Sequence, residues 1–362
     1  MIRETRQDLN KDKSDRINGI ITRGVGGLYG IRVFDGCESP EGDEILARAR
    51  GVFRREHVKP TVGDEVLIRP TVEGENDFFE EDEAQDERRG KYRKPKKSDG
   101  TAVDFVIDSI GERRNLMIRP PVANLDYLFA VIPCASPEPD LLTVDKLTAI
   151  AENYDIETVV VVNKSDLDPS KSAEISKIYE TAGYKVFRVS AESGDGVGEL
   201  YDFISSLAGD AEKQGIHVSG AFAGASGAGK STLMTKLFPS LDLKTGEVSR
   251  KTERGRHTTR HVEIYPAHTD SGVFWIADTP GFSMLDFTRF DFFPYDDLAL
   301  SFREFNDCLG KCRYTKCTHL CEDGCAVIEK MKAGGIAETR HESYKRIFEE
   351  QRSVPEWKRR QE

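Results

Sequence analysis

Eight consecutive residues of this chain form a complete motif: Gly224-Ala225-Ser226-Gly227-Ala228-Gly229-Lys230-Ser231, which Thr232 follows. They match G-x-x-x-x-G-K-[ST], the phosphate-binding loop of proteins that bind nucleoside triphosphates, so all nine residues are predicted nucleotide contacts. The apolar residues before the loop predict a strand over 217–223 and those after it a helix over 231–237, the context that this motif requires. The glycines let backbone N–H groups and the helix N-terminus face the phosphates. We expect Lys230 to reach the β- and γ-phosphates and Ser231 to bind Mg²⁺.

A second motif, Asn163-Lys164-Ser165-Asp166, predicts which base accompanies these phosphates. It ends a run of four valines typical of a buried strand, and open parallel sheets bind ligands at the carboxyl ends of their strands. The Asp166 carboxylate can accept two hydrogen bonds, from the ring N–H and the exocyclic amine of guanine, a pair that adenine does not present. Lys164 is expected to cover one face of the base and Asn163 to tie the motif to neighbouring loops. Ser190 and Ala191, which close the next predicted strand, suit the loop whose N–H approaches the guanine oxygen. The predicted ligand is therefore GTP or GDP.

The parts that respond to the γ-phosphate are expected after the phosphate loop. An apolar run ends at Asp278-Thr-Pro-Gly281. Asp278 would hold Mg²⁺ through water, and the Gly281 N–H would sense the γ-phosphate. The polar segment 245–260 suits a mobile switch (switch I) whose threonine closes on Mg²⁺ when GTP is bound. Thr258 is the predicted threonine, and Thr259 is the alternative.

These motifs follow one another in an unusual order: base tetrad, Ser-Ala loop, phosphate loop, switch I, and then the Asp-Thr-Pro-Gly segment (switch II). A conventional GTPase starts with the phosphate loop and reaches its base tetrad late. Circular permutation keeps every contact of the sheet and moves only the chain ends. The sequence therefore predicts a circularly permuted GTPase domain, in which whatever follows Gly281 is attached directly to the segment that moves on hydrolysis.

Length and composition limit the class of protein. A chain of 362 residues is long enough for more than one domain. Its formal net charge of -11 at pH 7 is a mild argument against nucleic-acid binding, which would have to use local basic patches. The sequence contains no apolar run long enough to cross a membrane, and its first residues lack the apolar core of a signal peptide. We therefore expect a cytoplasmic monomer without membrane association.

The N-terminal third predicts a small barrel. Residues 1–16 are polar and are expected to be disordered. Over 17–112, five short alternating segments with glycine punctuation predict an OB-fold β-barrel; they lie at 19–22, 28–34, 47–53, 64–68 and 103–107. Four arginines around the third segment indicate either a surface for a phosphate backbone or a solvated strand face: Arg48, Arg50, Arg54 and Arg55. Residues 73–100 are an acidic block followed by a basic one, and predict a disordered insertion.

The middle of the chain, 113–286, is the expected nucleotide domain. Strands predicted at 125–132, 158–162 and 184–189 alternate with helices predicted at 141–152, 171–182 and 198–207. This alternation predicts an α/β domain with a doubly wound parallel sheet that continues into the half carrying the phosphate loop.

The C-terminal region, 287–362, is rich in cysteine. Five of the seven cysteines lie between Cys308 and Cys325, and the candidate ligands are Cys308, Cys312, Cys317, His319, Cys321 and Cys325. In a cytoplasmic chain such a cluster indicates metal ligation rather than disulfides. Zinc takes four ligands, so one or two of the six are not ligands, and the spacing alone leaves the choice open. Zinc is favoured over an iron–sulfur cluster or unligated redox thiols. We expect a small zinc-binding domain with a helix over 336–351.

Together these features resemble the ribosome small subunit-dependent GTPase A family (RsgA, also called YjeQ) over nearly the whole chain. Besides the phosphate loop, the resemblance is carried by 49–54 (A-R-G-V-F-R), 119–124 (R-P-P-V-A-N), 255–259 (G-R-H-T-T), 278–282 (D-T-P-G-F) and 317–319 (C-T-H). The family's zinc pattern, Cys-x4-Cys-x-His-x5-Cys, falls on Cys312, Cys317, His319 and Cys325, which leaves Cys308 and Cys321 as extras. The resemblance implies one zinc per chain and a GTP hydrolase that acts late in maturation of the small ribosomal subunit. It also implies stimulation by that subunit and contacts of the barrel and zinc domain with ribosomal RNA.

One catalytic position departs from Ras-like enzymes, in which a glutamine just after the switch II glycine positions the attacking water. Here that position is Phe282, so we expect slow intrinsic hydrolysis and a partner that completes the site. His257 in switch I is either the residue that orients the water or a solvent-exposed loop residue. The predicted catalytic residues are thus His257, Thr258 and Gly281. The alternative function is a GTP-gated, rRNA-binding assembly scaffold with incidental turnover, and Asp166 disfavours an ATP-dependent enzyme.

Overall fold

The computed structural model describes residues 16–34, 44–71, 105–118, 120–241, 262–278 and 295–353. Several predicted features lie outside these residues: residues 1–15 of the tail, the insertion over 73–100, His257, Thr258 and Thr259 of switch I, and Gly281 and Phe282 of switch II. The chain divides into two compact units, Met1–Asn124 with Thr259–Tyr265 and Leu125–Thr258 with Pro266–Glu362. The predicted domain boundary at residue 286 also lies outside the described residues.

Among the described residues of the first unit, five strands form a closed barrel. They are β1 (Ile17–Val25), β2 (Leu28–Val33), β3 (Glu44–Ala49), β4 (Glu65–Pro70) and β5 (Phe105–Ile110). Their order is β1-β2-β3-β5-β4, and β4 pairs back onto β1. Fully buried aliphatic side chains such as Ile21, Ile31 and Ile68 form the barrel core. The closed five-stranded barrel confirms the predicted OB-like fold.

The third predicted barrel segment, 47–53, is wrong in its second half. β3 ends at Ala49, and a short helix, α1 (Val52–Arg55), follows it. Phe53 is buried from this helix. The alternating apolar pattern predicted a strand as far as Phe53. This pattern does not distinguish a strand from a short helix here, because Phe53 would be buried in both. Two of the four predicted arginines, Arg54 and Arg55, therefore lie on a helix rather than along the strand.

The last part of the first unit is a hairpin that the sequence analysis did not predict. β6 (Leu116–Ile118) pairs antiparallel with β7 (Pro121–Ala123). Asn124 anchors the hairpin to the barrel, since its side-chain nitrogen donates to the Gly63 carbonyl (3.0 Å) and its side-chain oxygen accepts the Arg114 N–H (2.8 Å). Prolines between and within these strands hide the strand signal in the sequence.

The described part of the second unit contains five parallel strands in the order β10-β9-β8-β11-β13. The strands are β8 (Tyr127–Pro133), β9 (Glu157–Asn163), β10 (Lys185–Arg188), β11 (Val218–Ala223) and β13 (Val273–Asp278). β12 (Glu263–His268) precedes β13 in the chain, and its first three residues belong to the first unit. The helices between the parallel strands are α2 (Leu141–Asn153), α3 (Pro169–Thr181), α4 (Val197–Gln214) and α5 (Lys230–Leu237). This is the doubly wound α/β sheet that the alternation of strands and helices predicted.

Strand β9 shows why a continuous apolar run predicted a strand with helices on both faces. Val159 and Val161 pack into a core cluster with side chains of α4 and α5, whereas Val160 and Val162 pack into a second cluster with side chains of α3. Successive side chains of a strand point to opposite faces of the sheet. Both faces of β9 are therefore covered, and its carboxyl end at Asn163 is fixed between two packed layers.

Helix α4 continues to Gln214, beyond the predicted end at residue 207. Gly209 lies inside it, where a glycine normally weakens a helix. A Cβ at this position would lie 2.8 Å from the Cβ of Ser271, so close packing of α4 against the turn before β13 requires the glycine. The helix ends at Gly215, whose φ of +66° suits a helix C-terminus.

The C-terminal module, 295–353, is helical and belongs to the second unit. Two 3₁₀ segments, Tyr295–Ser301 and Arg303–Cys308, precede α6 (Ala326–Lys332) and α7 (Glu338–Arg352), which corresponds to the helix predicted over 336–351. Helix α7 packs against α2, the helix between β8 and β9. Phe302, Phe305 and Tyr344 form an aromatic core in the module. Within the described ranges, no helix combines the length and apolarity needed to cross a membrane.

Candidate nucleotide site and metal centre

The phosphate loop connects β11 to α5, and close contacts explain two of its glycines. At Gly224, φ is +142° and an added Cβ would lie 2.1 Å from the carbonyl oxygen of Val131 in β8. At Gly229, φ is +90° and an added Cβ would lie 2.3 Å from Asn163 Nδ2. A side chain at either position would push the loop away from the sheet and the base tetrad. The loop is thus packed onto the carboxyl ends of β8 and β9.

Lys230 begins α5, and its side chain folds back over the phosphate loop. Its ammonium group donates to the carbonyl oxygens of Gly224 (2.7 Å) and Ala225 (2.9 Å). Burial lowers the pKa of Lys230. Phosphate oxygens accept stronger hydrogen bonds from an ammonium group than neutral carbonyls do, because they are charged. Lys230 and the N-terminus of α5 together give this loop the positive potential that an anion needs.

Asn163 connects three loops of the candidate nucleotide site. It is buried at the end of β9. Its side-chain nitrogen donates to the carbonyl of Ala228 in the phosphate loop (2.8 Å). Its side-chain oxygen accepts the N–H of Ala191 in the Ser-Ala loop (3.0 Å). One buried amide therefore sets the spacing between the base tetrad, the phosphate loop and the Ser-Ala loop.

The other residues of the base side lie around this amide. Asp166 is exposed in the loop after β9, where its carboxylate is accessible to a ligand. Ser190 is buried, and its hydroxyl oxygen accepts the N–H of Ser193 (3.1 Å), which holds the Ser-Ala loop in a tight turn. Lys164 has a φ of +63°, and its ammonium group donates to the carbonyl of Ser136. The lysine predicted to cover a face of the base thus extends toward the segment after β8.

The segment after β8, for which no role was predicted, contacts both the base tetrad and the phosphate loop. Cys134 donates its backbone N–H to the carbonyl of Asn163 (2.9 Å) and its thiol to the carbonyl of Lys164 (2.9 Å). Pro137 approaches the phosphate loop, 3.4 Å from where a Cβ on Gly227 would lie. The available signal was positional. Because β8 lies between β9 and β11, the residues after its carboxyl end have to lie beside both loops.

The described residues include two of the three predicted magnesium ligands. Ser231 is exposed in the first turn of α5. Asp278 ends β13, and the register that pairs Ala221 with Ala277 places it at the same sheet edge as the phosphate loop. A hydroxyl and a carboxylate are oxygen ligands of the kind that Mg²⁺ prefers. Thr258, the third predicted ligand, lies outside the described residues.

The C-terminal module brings four predicted metal ligands together. The ligand atoms of Cys312, Cys317, His319 and Cys325 all lie within 4.8 Å of one another. His319 Nδ1 lies 3.5 Å from Cys312 Sγ and 3.4 Å from Cys325 Sγ, and these two sulfurs are 4.0 Å apart. Zinc bonds of ~2.3 Å to sulfur and ~2.0 Å to nitrogen would separate tetrahedral ligands by roughly 3.5–3.8 Å. The four residues therefore fit zinc.

The protonation of these side chains shows what a bound metal would change. Burial raises the pKa of Cys317 to about 12 and also raises the pKa of Cys325. Burial lowers the pKa of His319, which favours the neutral imidazole that binds metals. A metal ion would replace the thiol protons and stabilise the thiolates. The two extra cysteines, Cys308 and Cys321, lie outside this set of ligand atoms.

Fold and site together define a class of protein. The phosphate loop, the base tetrad and Asp278 lie at the carboxyl ends of parallel strands, the arrangement of a P-loop GTPase. In the chain, however, the strand of the base tetrad (β9) precedes the strand of the phosphate loop (β11). The second unit therefore contains a circularly permuted GTPase domain and, after it in the sequence, a module with a Cys₃His cluster. An OB-like barrel precedes both in the sequence.

Comparisons with known proteins identify the family. The sequence model of the RsgA GTPase matches residues 110–288, and that of the RsgA N-terminal domain matches residues 18–76. The chain is 32% identical over 340 residues to the Small ribosomal subunit biogenesis GTPase RsgA of Ruminiclostridium cellulolyticum, covering 94% of this chain and 95% of that one. It is 36% identical over 338 residues to the protein of the same name from Halalkalibacterium halodurans, covering 92% and 96%. The chain belongs to the RsgA family of GTPases.

Solved structures agree with this assignment. YjeQ from Thermotoga maritima superimposes with a TM-score of 0.68 at 28% sequence identity, over 94% of this chain and 100% of that one. YloQ, described as a circularly permuted GTPase, gives a TM-score of 0.62 at 26% identity, over 94% and 96%. The permuted order of motifs is thus a property that this chain shares with a solved relative.

Proposed function

We propose that this protein binds the small ribosomal subunit and hydrolyses GTP to GDP and phosphate during late maturation of that subunit, which stimulates the hydrolysis. The observation that carries the nucleotide assignment is the pair of hydrogen bonds in which Asn163 donates to the Ala228 carbonyl and accepts the Ala191 N–H, because it joins a guanine-selective motif to a phosphate loop. The partner is taken from the relatives, whose name is Small ribosomal subunit biogenesis GTPase RsgA. A ribosomal partner also supports a cytoplasmic location, and we propose that the protein acts there as a monomer.

We assign the nucleotide-binding roles to residues of these loops and of switch I. Asp166 selects guanine, with Lys164 and the Ser-Ala loop on the base side. Residues 224–232 hold the phosphates through backbone N–H groups and Lys230. Ser231, Thr258 and Asp278 are the proposed ligands of Mg²⁺, which when bound neutralises charge that develops on the phosphates.

The catalytic roles involve residues of the two switches. Position 282 is phenylalanine where Ras-like GTPases have a glutamine, and a phenylalanine side chain has no group that can position a water molecule. We assign the orientation of the attacking water to His257, with Thr258 and Gly281 closing on the Mg²⁺ side and the γ-phosphate. A partner that completes this arrangement would raise the rate, and partner-completed GTPases with an arginine finger gain ~10³–10⁵-fold.

The barrel and the C-terminal module are the proposed contacts with ribosomal RNA. Arg54 and Arg55 are exposed on α1. Arg50, by contrast, forms an ion pair with Asp108 at 2.7 Å, so it is less available to a phosphate backbone. Lys311 and Lys316 are exposed near the metal cluster. Such basic side chains give salt-dependent affinity for nucleic acid even when the whole chain is acidic. The proposed zinc ion, one per chain, would stabilise the module that presents the two lysines.

The test is GTP hydrolysis by the purified protein, measured at fixed salt with and without isolated small ribosomal subunits. Large subunits at the same concentration are the control for nonspecific stimulation, and Lys230→Ala is the control for contaminating hydrolases. We expect strong stimulation by small subunits and none by large subunits. Equal rates with and without either subunit, and no binding of either, would contradict the proposed partner while leaving the nucleotide assignment intact.

The phenylalanine at position 282 also permits a second function, that of a GTP-gated assembly scaffold, whereas the proposed Mg²⁺ ligands favour the first function. As a scaffold, the protein would bind small subunits more tightly with GTP than with GDP, yet hydrolysis would stay at the intrinsic rate. Measuring subunit binding with GDP and with a non-hydrolysable GTP analogue, alongside the rates, separates the two functions.

A further inference from the structure

The loop that carries two of the metal ligands, Cys317–Cys321 (the metal loop), is bound by a carboxylate that is not itself in the cluster. Glu322 Oε1 accepts the backbone N–H of Thr318 (2.7 Å) and its hydroxyl. Glu322 Oε2 accepts the backbone N–H groups of Leu320 (3.0 Å) and Cys321 (3.1 Å). One side chain thus accepts hydrogen bonds from three backbone N–H groups of the metal loop and from one hydroxyl. These hydrogen bonds outweigh burial and lower the pKa of Glu322 to about 2.

Glu322 binds the residues on both sides of the histidine ligand, His319, in the chain. His319 has a φ of +58°, in the left-handed region that residues other than glycine rarely occupy. The residues on either side of it, Thr318 and Leu320, are the ones whose N–H groups Glu322 accepts. In this conformation His319 Nδ1 faces the sulfurs of Cys312 and Cys325. A backbone conformation of this kind persists only where surrounding contacts enforce it.

Helix α7 holds the opposite side of the metal loop. His341 Nε2 donates to the carbonyl of His319 (2.7 Å), and the hydroxyl of Tyr344 donates to the carbonyl of Thr318 (2.8 Å). These two contacts bind carbonyl oxygens, whereas Glu322 binds N–H groups. The donors and acceptors of the loop are therefore satisfied from different elements, and Glu322 is the charged member of the set.

We propose that Glu322 is a positioning residue of the metal centre: its carboxylate fixes the metal loop in the conformation that presents His319 and Cys317 to the ion. The inference rests on the proposed zinc site. This role explains why position 322 is a glutamate, because the metal loop needs two acceptor oxygens from one side chain. Glutamine has the same length but a single acceptor oxygen, and its amide nitrogen would face N–H donors. Groups that orient metal ligands typically contribute ~10–100-fold to metal affinity without touching the metal.

The experiment compares Glu322→Gln with the wild-type full chain, using Glu329→Gln as the matched control. Glu329 is exposed on α6 in the same module, and its side chain lies outside the cluster. Zinc affinity is measured by competition with a chelator of known affinity. We expect ~10–100-fold weaker zinc binding for Glu322→Gln and wild-type affinity for Glu329→Gln.

Cobalt supplies a readout that general loss of stability would not produce. In the wild type, Co²⁺ bound to three thiolates and one imidazole should give the absorption bands of a tetrahedral site. We expect Glu322→Gln, when saturated with Co²⁺, to show altered ligand-field bands because the loop presents the imidazole differently. Wild-type spectra and zinc affinity in this variant would overturn the assignment of Glu322.

The outcomes also separate this inference from the metal site on which it rests. If the wild type binds neither zinc nor cobalt, the metal centre itself is wrong and Glu322 has no such role. If Glu322→Gln does not fold, Thr318→Val decides instead, because it removes the hydroxyl that donates to Glu322 and keeps the size and backbone of the residue. A several-fold loss of zinc affinity is expected for Thr318→Val, and unchanged affinity would contradict the proposal.

Discussion

The nucleotide site is held by tight backbone turns and one buried amide, whereas the metal centre is held by side chains whose ligand atoms face one another. In the nucleotide site, Asn163 and Lys230 both donate to carbonyls of the phosphate loop. In the metal centre, three thiols and an imidazole converge, and burial raises the pKa of Cys317 and Cys325. The first arrangement satisfies its polar groups within the protein. The second one gains most of its stability when a cation takes the place of the thiol protons.

The two regions also differ in what lies beneath them. The phosphate loop and base tetrad end strands that are buried on both faces by helices. The metal ligands lie on loops between short helical segments, next to an aromatic cluster of Phe302, Phe305 and Tyr344. We therefore expect the nucleotide site to keep its shape without its ligand and the metal centre to lose its shape without zinc.

Removal of the metal is expected to have the largest effect. Structural zinc sites contribute apparent binding free energies of ~10–16 kcal/mol at neutral pH, so a strong chelator should unfold the metal loop locally. Hydrogen exchange followed by mass spectrometry should show loss of protection over residues 312–325, with protection of β9 and β11 unchanged. GTP affinity should also be unchanged. Equal loss of protection in both regions would show that the comparison is wrong and that the second unit unfolds as one body.

Arg340 of helix α7 connects the C-terminal module to helix α2, and its replacement is expected to have the next largest effect. The side chain is fully buried (0% exposed), with Nη1 2.7 Å from Asp145 Oδ1 of α2 and Nε 2.7 Å from Glu304 Oε1. Arg340→Met would leave two buried carboxylates without their counter-charge, which typically destabilises a protein by about 3–5 kcal/mol. Urea unfolding of the metal-loaded protein measures this change.

The control for Arg340 is Arg346→Met, which removes an exposed arginine of the same helix that pairs with Glu342 at 3.5 Å. An exposed pair contributes about 0–1 kcal/mol. Similar destabilisation by both variants would mean that Arg340 does not join α7 to helix α2.

The same pair of variants can be compared at different pH. Burial already raises the pKa of Asp145 in the wild type. Without Arg340 that carboxyl should take up a proton more readily, so the destabilisation should become smaller as the pH falls.

The nucleotide site was largely predictable because its chemistry needs fixed residue types at fixed spacing. A phosphate loop requires glycines and a lysine within eight positions, and the strands that position it show as apolar runs. β9 is one residue longer at each end than predicted, and α5 begins one residue earlier than predicted and ends at the predicted residue. The contacts of the segment after β8 were not predictable in this way, since Cys134 and Pro137 belong to no motif and act through their place in the sheet.

The metal ligands and the Arg340 contacts were harder to predict, for different reasons. Spacing left six candidate ligands, because which thiols converge depends on the path of the metal loop and on the left-handed conformation of His319. The family resemblance reduced them to the four that the structure brings together. Arg340 looks like a solvent-exposed helix residue in the sequence, since arginine is rarely buried without a partner. Its partner Asp145 lies 195 positions away, a separation that no local pattern reveals.

Asp166→Asn is expected to have the smallest effect on the free energy of unfolding and a purely local effect on ligand binding. Asp166 is exposed, so stability should change by no more than ~0.5 kcal/mol. Hydrogen bonds to a charged group contribute about 1.5–3 kcal/mol, so GTP affinity should fall roughly 10- to 150-fold.

Glu192→Gln, which removes an exposed charge next to the Ser-Ala loop, is the control for long-range electrostatics and should bind GTP normally. Asparagine can donate to the carbonyl that xanthine carries in place of the exocyclic amine, so the variant should bind XTP better than the wild type does. Unchanged GTP affinity would remove Asp166 from base recognition and reopen the question of an adenine nucleotide, because Asp166 is the residue to which the selection of guanine is assigned.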